Sequence, residues 1–474
     1  MTAKTVPLSQ TRTEEDPRQH LLLDPRPRAE MNNMVMEAMT TTTRSFWVIV
    51  SILAFLVFVC LFGAWLYMTI KGMGVAGIRR PTYWGMFIAN FVFWIGISHS
   101  GTFVSAILRV FKAEFRRPIT RAAEMMTAFG LAAAGLYPLI HLGRVWLAYW
   151  IIPYPNARWL WPNFRSPLTW DMIAITTYLL SSLMYIYLPL IPDLAMARDH
   201  SQGWRHKLYR RMSLGWRGTE SEWHRLRTAI QIFAFAIIPV MFSVHTIVAW
   251  DFAVTKTPGW HSTIFGPFFV AGAIFSGVSA VAMILALIRG SMLNMKYFIR
   301  EEHFDALGKL MLVFSFTWTY FYFNEYLLAW YGGDLSDWYV WTALTRGPYA
   351  WLWFTMLILN IGIPWLTLWN KKIRRNPWAL FAIGFLINIG MYIERYLIVP
   401  LMITRNRFPF AWDDYYPRIE LVISVGSLSL FLLLYALASR VIPLIPVWEV
   451  QEGQMAFRMR RIGKTEVPSV SEFE

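Results

Sequence analysis

The chain is short of charge and almost free of cysteine. Charged residues fill 15% of its 474 positions, against roughly a quarter in soluble domains. That shortage excludes a disordered chain and an ordinary soluble enzyme. The single thiol, Cys60, sits inside an apolar run. It cannot close an intrachain disulfide, and an iron–sulfur cluster takes several Cys or His ligands. No Cys-x-x-Cys-His is present for a c-type haem, and no His-Glu-x-x-His for zinc. Any iron–sulfur or c-type centre that this protein serves must belong to another chain, and no metal site is expected in it.

What the chain has instead is apolar bulk: 56% hydrophobic and 17% aromatic residues. These fall into ten blocks, near 46–70, 84–108, 122–142, 168–190, 229–250, 266–288, 310–331, 350–370, 379–403 and 420–442. Each is long enough to cross a bilayer as a helix. The reading is an all-α polytopic membrane protein with ten transmembrane helices in residues 44–445. A polar arm, 1–43, precedes it and a tail, 446–474, follows. The arm lacks the apolar core and cleavage site of a signal peptide. It reads as a docking arm or a disordered tail.

Ten crossings put both termini on one side, here side A. Of the 44 Lys and Arg residues, 31 fall on side A and 11 on side B. That bias makes side A the cytoplasm. The net charge of +15 is then a topology signal, and nucleic acid is excluded as a partner. Side B is rich in Trp, as an interfacial belt requires. Its connections 143–167, 251–265, 332–349 and 404–419 are long enough to form platforms for a partner protein.

Ionisable residues inside spans are costly and default to functional candidates. His141, Asp171, His245, Asp251, Glu325, Glu394 and Arg395 all lie toward side B. His99 and Glu124 lie in the A-side half. Each has a plainer reading. Glu325, Glu394 and Arg395 can simply fix packing, Asp251 can be a solvated loop residue, and His99, in Ser98-His99-Ser100-Gly101, can be hydrogen-bonded glue. His141 and Asp171 are sharper, because they flank the same connection and their helices should be neighbours. An imidazole and a carboxylate at one depth can form a coupled proton acceptor. A quinol needs such acceptors for its hydroxyls and aromatic walls for its ring and tail. A b-type haem would need His141 and His245 on facing helices.

Several runs carry a family resemblance. One is Phe115-Arg-Arg-Pro-Ile-Thr-Arg-Ala-Ala-Glu124, continuing to Leu-Tyr-Pro-Leu-Ile-His141-Leu-Gly-Arg144. Others are Asp193-Leu-Ala-Met-Ala-Arg-Asp199, Ser243-Val-His245-Thr-Ile-Val-Ala-Trp-Asp251-Phe and Pro258-Gly-Trp-His261-Ser-Thr-Ile-Phe-Gly-Pro267. They resemble the polysulfide-reductase NrfD-type membrane subunits, and among those the quinol-binding membrane subunit of alternative complex III, a bacterial quinol-oxidising assembly. The similarity spans roughly residues 80–440. It implies two four-helix bundles, spans 2–5 and 6–9, flanked by the first and last helices. It implies quinol as substrate, menaquinol rather than ubiquinol, and no haem or iron–sulfur cluster in this chain. The implied partners are a periplasmic iron–sulfur subunit, c-type haem subunits and a second NrfD-like subunit in the bacterial inner membrane. His141 and Asp171 would be catalytic, with His245, Asp251 and Arg395 completing the quinol site. A proton path would use His99, Glu124, Glu394 and Glu325. Two rival readings stay open: a proton-coupled secondary transporter, and a quinone-reducing anchor of a molybdenum-type reductase.

Overall fold

The computed structural model describes residues 26–78, 85–151, 167–404, 416–456, 459–462 and 465–468. Residues 1–25 of the arm, Trp159, Trp161 and most of the connection 143–167, and residues 405–415 lie outside them. Among the described residues nine helices are long and apolar enough to cross a membrane. They are span 1 (Arg44–Lys71), span 2 (Gly85–Val110), span 3 (Thr120–His141), span 4 (Thr169–Asp199), span 5 (Glu220–Ala253), span 6 (Phe265–Gly290), span 8 (Ala350–Thr367), span 9 (Pro377–Leu401) and span 10 (Arg418–Ala438). The remaining expected crossing, span 7, is the helix Glu301–Gly332, whose many Trp, Tyr and Thr residues dilute its apolarity. It ends at Gly333, whose φ of 68° suits a residue without a Cβ. Among the described residues there is, besides helices, one two-stranded hairpin, Met459–Ile462 with Thr465–Pro468.

Several helices outrun their apolar blocks because their ends are capped. Span 5 starts nine residues early: Thr219 accepts from the Glu222 amide while the Glu222 carboxylate returns to the Thr219 amide at 2.9 Å. That reciprocal box satisfies two otherwise orphaned donors. Span 9 starts at Pro377 behind Asn376, whose side chain caps the amides of Trp378 and Ala379.

Spans 2–5 pack as one four-helix bundle and spans 6–9 as a second, with spans 2 and 6 meeting between them. Spans 1 and 10 lie beside the bundles as a pair, with Gly426 of span 10 against Leu61 and Cys60 of span 1. No hydrophobic force joins helices inside lipid, so close packing of small residues has to. A Cβ on Gly101 would collide with the Ala123 carbonyl oxygen of span 3, and one on Gly277 with the Ser100 Cβ. Span 2 is pressed against spans 3 and 6 at one turn, Ser98–Gly101.

On side A, helix Arg28–Thr40 buries Met31, Val35 and Met39 and packs against helix Val447–Ala456. The second helix is pinned by Glu449, which pairs with Arg109 at 2.8 Å and Arg116 at 2.5 Å. Burial alone would raise the Glu449 carboxyl, but Arg109 and Arg116 outweigh it and bring it down to about 2.

Two outcomes follow from these contacts. Gly101→Ala should lower thermal stability in detergent by about 1–3 kcal/mol through overpacking, whereas Gly135→Ala in span 3, with open space around it, should be neutral. Because the folded Glu449 value lies below the unfolded one of 4.5, its stabilisation is complete above that value and fades as pH falls toward about 2. Protease nicking of the 447–456 helix should therefore rise through that window in the wild type, and be high already at pH 7 in Glu449→Gln.

Candidate functional site

Buried polar side chains gather at two levels of the first bundle, and span 4 connects them. The upper level is at the B end. Asp171 lies near the start of span 4 and Asp251 near the end of span 5, on neighbouring helices. Their carboxyls meet within hydrogen-bonding reach. Two carboxyls in a dry site hold such a contact by sharing a proton. His141 ends span 3, with its ring edge-on to Phe87 of span 2 at 6.3 Å. Spans 3 and 4 are neighbours, but the group that Asp171 meets is Asp251; among the described residues no hydrogen bond or ion pair joins it to His141. His141 Nδ1 is buried without a hydrogen-bond partner, and the Asp171 and Asp251 carboxyls find no donor but each other's shared proton among the described residues. Buried polar atoms are nearly always partnered. One free ring nitrogen beside two paired carboxyls can accept hydrogen bonds from a ligand.

The lower level is centred on a pair that the sequence placed apart. His99 of span 2 and His245 of span 5 meet Nδ1 to Nδ1 at 3.1 Å. His245 Nε2 lies 3.0 Å from the Phe269 carbonyl oxygen. A carbonyl only accepts, so Nε2 carries the proton of a neutral His245 and its Nδ1 accepts from His99. That leaves His99 Nε2 as a bare lone pair, and it is buried without a partner. Beside it lies the Tyr178 ring, 4.0 Å away between centroids. Arg395 reaches in from the second bundle. Its guanidinium lies 4.2 Å over the Phe269 ring and 3.5 Å from the same carbonyl that His245 bonds. It is paired at 3.1 Å with Glu394, which also accepts from Trp318 Nε1. Gly272 makes this room, since a Cβ there would sit 2.9 Å from the Arg395 Nη2.

From His99 a file of polar groups runs toward side A. The Tyr178 hydroxyl lies 3.0 Å from Thr102 Oγ1, which meets Thr127 Oγ1 at 2.8 Å. One turn further, Tyr185 and Ser105 meet at 3.1 Å, and Ser105 donates to Glu124 at 2.8 Å. Glu124 pairs with Arg121 at 3.5 Å, and Arg121 with Asp193 of span 4 at 3.0 Å. Asp171, Tyr178, Ser182, Tyr185 and Asp193 thus form one buried stripe of span 4, at spacings near whole helical turns. Sequence reasoning singled out the ends of this file and passed over Tyr178, Ser182 and Tyr185. Their heptad-like spacing was the available signal, and it was hidden because Tyr and Ser are ordinary in apolar spans.

Glu325 stands elsewhere. It accepts from Ser262 Oγ at 2.8 Å and ties span 7 to a B-side connection. One metal-ligand type cluster exists among the described residues, His261 with Asp334 and Asp337, in exposed B-side connections. Its oxygens pin backbone: Asp337 accepts from the Gly259 amide and Asp334 from the Ser336 amide, each at 2.7 Å.

Fold and site together define a polytopic helical membrane protein with titratable groups held dry beneath one end. The particular family follows from comparison. The family described as polysulphide reductase, NrfD, matches residues 74–405, and the chain belongs to it. It is 25% identical over 407 residues to a putative dimethyl sulfoxide reductase membrane subunit of Halobacterium salinarum, with 81% of this chain and 88% of that one aligned. It is 22% identical to a selenate reductase subunit of Mesobacillus selenatarsenatis, with 81% and 90% aligned. It is also 22% identical to an Hdr-like menaquinol oxidoreductase integral membrane subunit of Archaeoglobus fulgidus, with 82% and 92% aligned.

If Asp171 and Asp251 share a proton, their effects are not additive. Asp171→Asn, Asp251→Asn and the double variant, unfolded in detergent, should give a coupling energy of at least about 0.5 kcal/mol. Additive losses would show two independent carboxyls.

Proposed function

We propose that this chain is the quinol-binding and quinol-oxidising membrane subunit of a multisubunit electron-transfer complex. The observation that carries the reading is the gathering at the B end of one bundle of His141, whose buried Nδ1 has no partner, and the paired carboxyls of Asp171 and Asp251. A quinol offers two hydroxyl donors, and the trio offers acceptors on three adjacent helices. His141 takes one hydroxyl proton and the Asp171–Asp251 pair the other. Deprotonation makes the ring easier to oxidise, so losing an acceptor slows electron loss. Two electrons leave toward an iron–sulfur centre of a partner on side B, since this chain has no cysteine set to hold one. His245, neutral, and Arg395, paired with Glu394, both lie on the Phe269 carbonyl and hold the floor below the ring.

The names of the relatives support electron flow out of quinol. Two are called reductases of external acceptors, which must be fed electrons, and one a menaquinol oxidoreductase. The motif runs favour the quinol-binding member of alternative complex III, with c-type haem proteins and a second protein of the same family as partners. The reductase names favour an anchor that feeds a catalytic reductase partner. Purification of the assembly separates them by which proteins come with the chain. A transporter reading is weaker: every span among the described residues is continuous, with π-helical turns in spans 1, 8 and 9 and at the end of span 6 only bending the ladder. The positive-inside count makes side A the cytoplasm and the site periplasmic.

A second reading concerns protons. The file from His99 through Tyr178, Ser105 and Glu124 to Asp193 is a route by which quinol chemistry can be coupled to proton movement toward side A. Glu394 joins it through Arg395, while Glu325 is left out.

Asp171→Asn in the assembled complex should cut quinol oxidation at least tenfold, equivalent to about 1.4 kcal/mol of barrier. Full turnover in that variant would remove Asp171 from the mechanism. Tyr178→Phe should leave quinol oxidation within about twofold yet change the protons released per electron in liposomes; an unchanged ratio would make the file structural only.

A further inference from the structure

A cavity of about 370 Å³ opens on side A, between the end of span 4, the start of span 5 and the two terminal helices. Its wall is aromatic. Trp216 lies edge-on to Trp223 at 5.1 Å, and Trp223 tilts against Trp448 at 5.4 Å. Its acids are already engaged: Asp193 holds Arg121 and the Trp448 amide, and Asp199 holds Arg198 at 2.7 Å. Its other arginines are not. Arg28 and Arg217 both line the cavity, and neither has an ion-pair partner among the described residues. The connection that carries Arg217, residues 201–218, also holds Arg205, Lys207, Arg210 and Arg211 and no Asp or Glu. This corner therefore has a large positive excess and two guanidiniums without a carboxylate.

The surroundings say what kind of anion fits. The tryptophans rest on Leu226 and Ile230, an apolar floor between spans 4 and 5. Below it the outer faces of those spans are apolar and exposed at Leu180, Met184, Ile232 and Phe235. Trp204 and Leu214, at 63% and 70% exposure, sit on the connection beside the cavity. Exposed Trp and Leu among arginines is the composition of a segment lying in a lipid interface. The volume is that of a small-ligand site, and guanidinium matches phosphate with paired bonds.

We propose that this cavity binds the phosphate of an anionic phospholipid headgroup through Arg28 and Arg217, with the tryptophans against the glycerol and the acyl chains along the outer faces of spans 4 and 5. Two of its walls are the terminal helices, so the bound lipid clasps both ends of the chain to the first bundle. A soluble phosphate compound shares the headgroup's chemistry but makes no use of the apolar faces below.

The test uses the full chain, in its complex, delipidated in detergent. Thermal melting is followed with phosphatidylglycerol, with phosphatidylcholine of the same chains, and with inorganic phosphate alone. Phosphatidylglycerol should raise the melting temperature well above phosphatidylcholine, and inorganic phosphate should leave it unchanged. Arg28→Gln with Arg217→Gln should weaken phosphatidylglycerol retention about tenfold, as loss of charge-assisted bonds implies, while quinol oxidation stays at the wild-type rate. Should the double variant fail to fold, Arg217→Gln alone carries the same comparison with a smaller loss. Equal protection by the two lipids, or full phosphatidylglycerol protection of the double variant, would overturn the proposal. Protection by inorganic phosphate equal to that by phosphatidylglycerol would overturn the lipid and assign the arginines to a soluble phosphate compound.

Discussion

The contact of span 2 with spans 3 and 6 at Ser98–Gly101 is the constraint on which the rest depends. Glycines 101, 130 and 277 let three backbones approach so closely that a Cβ on Gly101 or Gly277 would collide and one on Gly130 would crowd Ser98 at 3.1 Å. The serines of the same turn are used up in holding it: Ser98 donates to the Thr127 carbonyl at 3.0 Å, and Ser100 donates to the carbonyls of Gly96 and Ala273. His99 sits between them and can point only into the first bundle, where it meets His245. A looser helix contact would leave room for lipid or water and dissolve the pair.

Desolvation then dictates everything polar inside. A span core has no water to fall back on, so each buried group must be partnered or held for a ligand. Most are partnered: Glu394 with Trp318 and Arg395, Glu124 with Ser105 and Arg121, Arg374 with Asp305. At the B end of the first bundle His141 Nδ1 has no partner, and the Asp171 and Asp251 carboxyls have each other. The quinol reading rests on this group, and the NrfD family membership agrees with it without depending on it.

Side A follows a different economy. The run from Phe115 to Glu124, one of the motifs that carried the family resemblance, is spent on ion pairs. Arg116 and Arg117 hold the C-terminal helix through Glu449 and Glu452, and Arg121 links span 3 to span 4 through Asp193. These pairs fasten the ends of the chain to the first bundle, and thereby brace the helices that carry His141 and Asp171. Among the described residues the arginines of the 201–218 connection take no part in these pairs, and one of them, Arg217, lines the side-A cavity.

The apolar blocks and the all-helical polytopic fold were legible in the sequence, because apolar length acts one helix at a time. The neighbourhood of spans 3 and 4 was legible too, because a single connection joins them. The partners were not. Asp171 met Asp251 rather than His141, and His99, assigned to the opposite half, met His245. Spans 2 and 5 are far apart in the chain, and their rotation about their own axes is set by how glycines and serines interlock between three helices. Linear periodicity determines which residues a helix buries; which buried residue faces which is decided only when the helices pack.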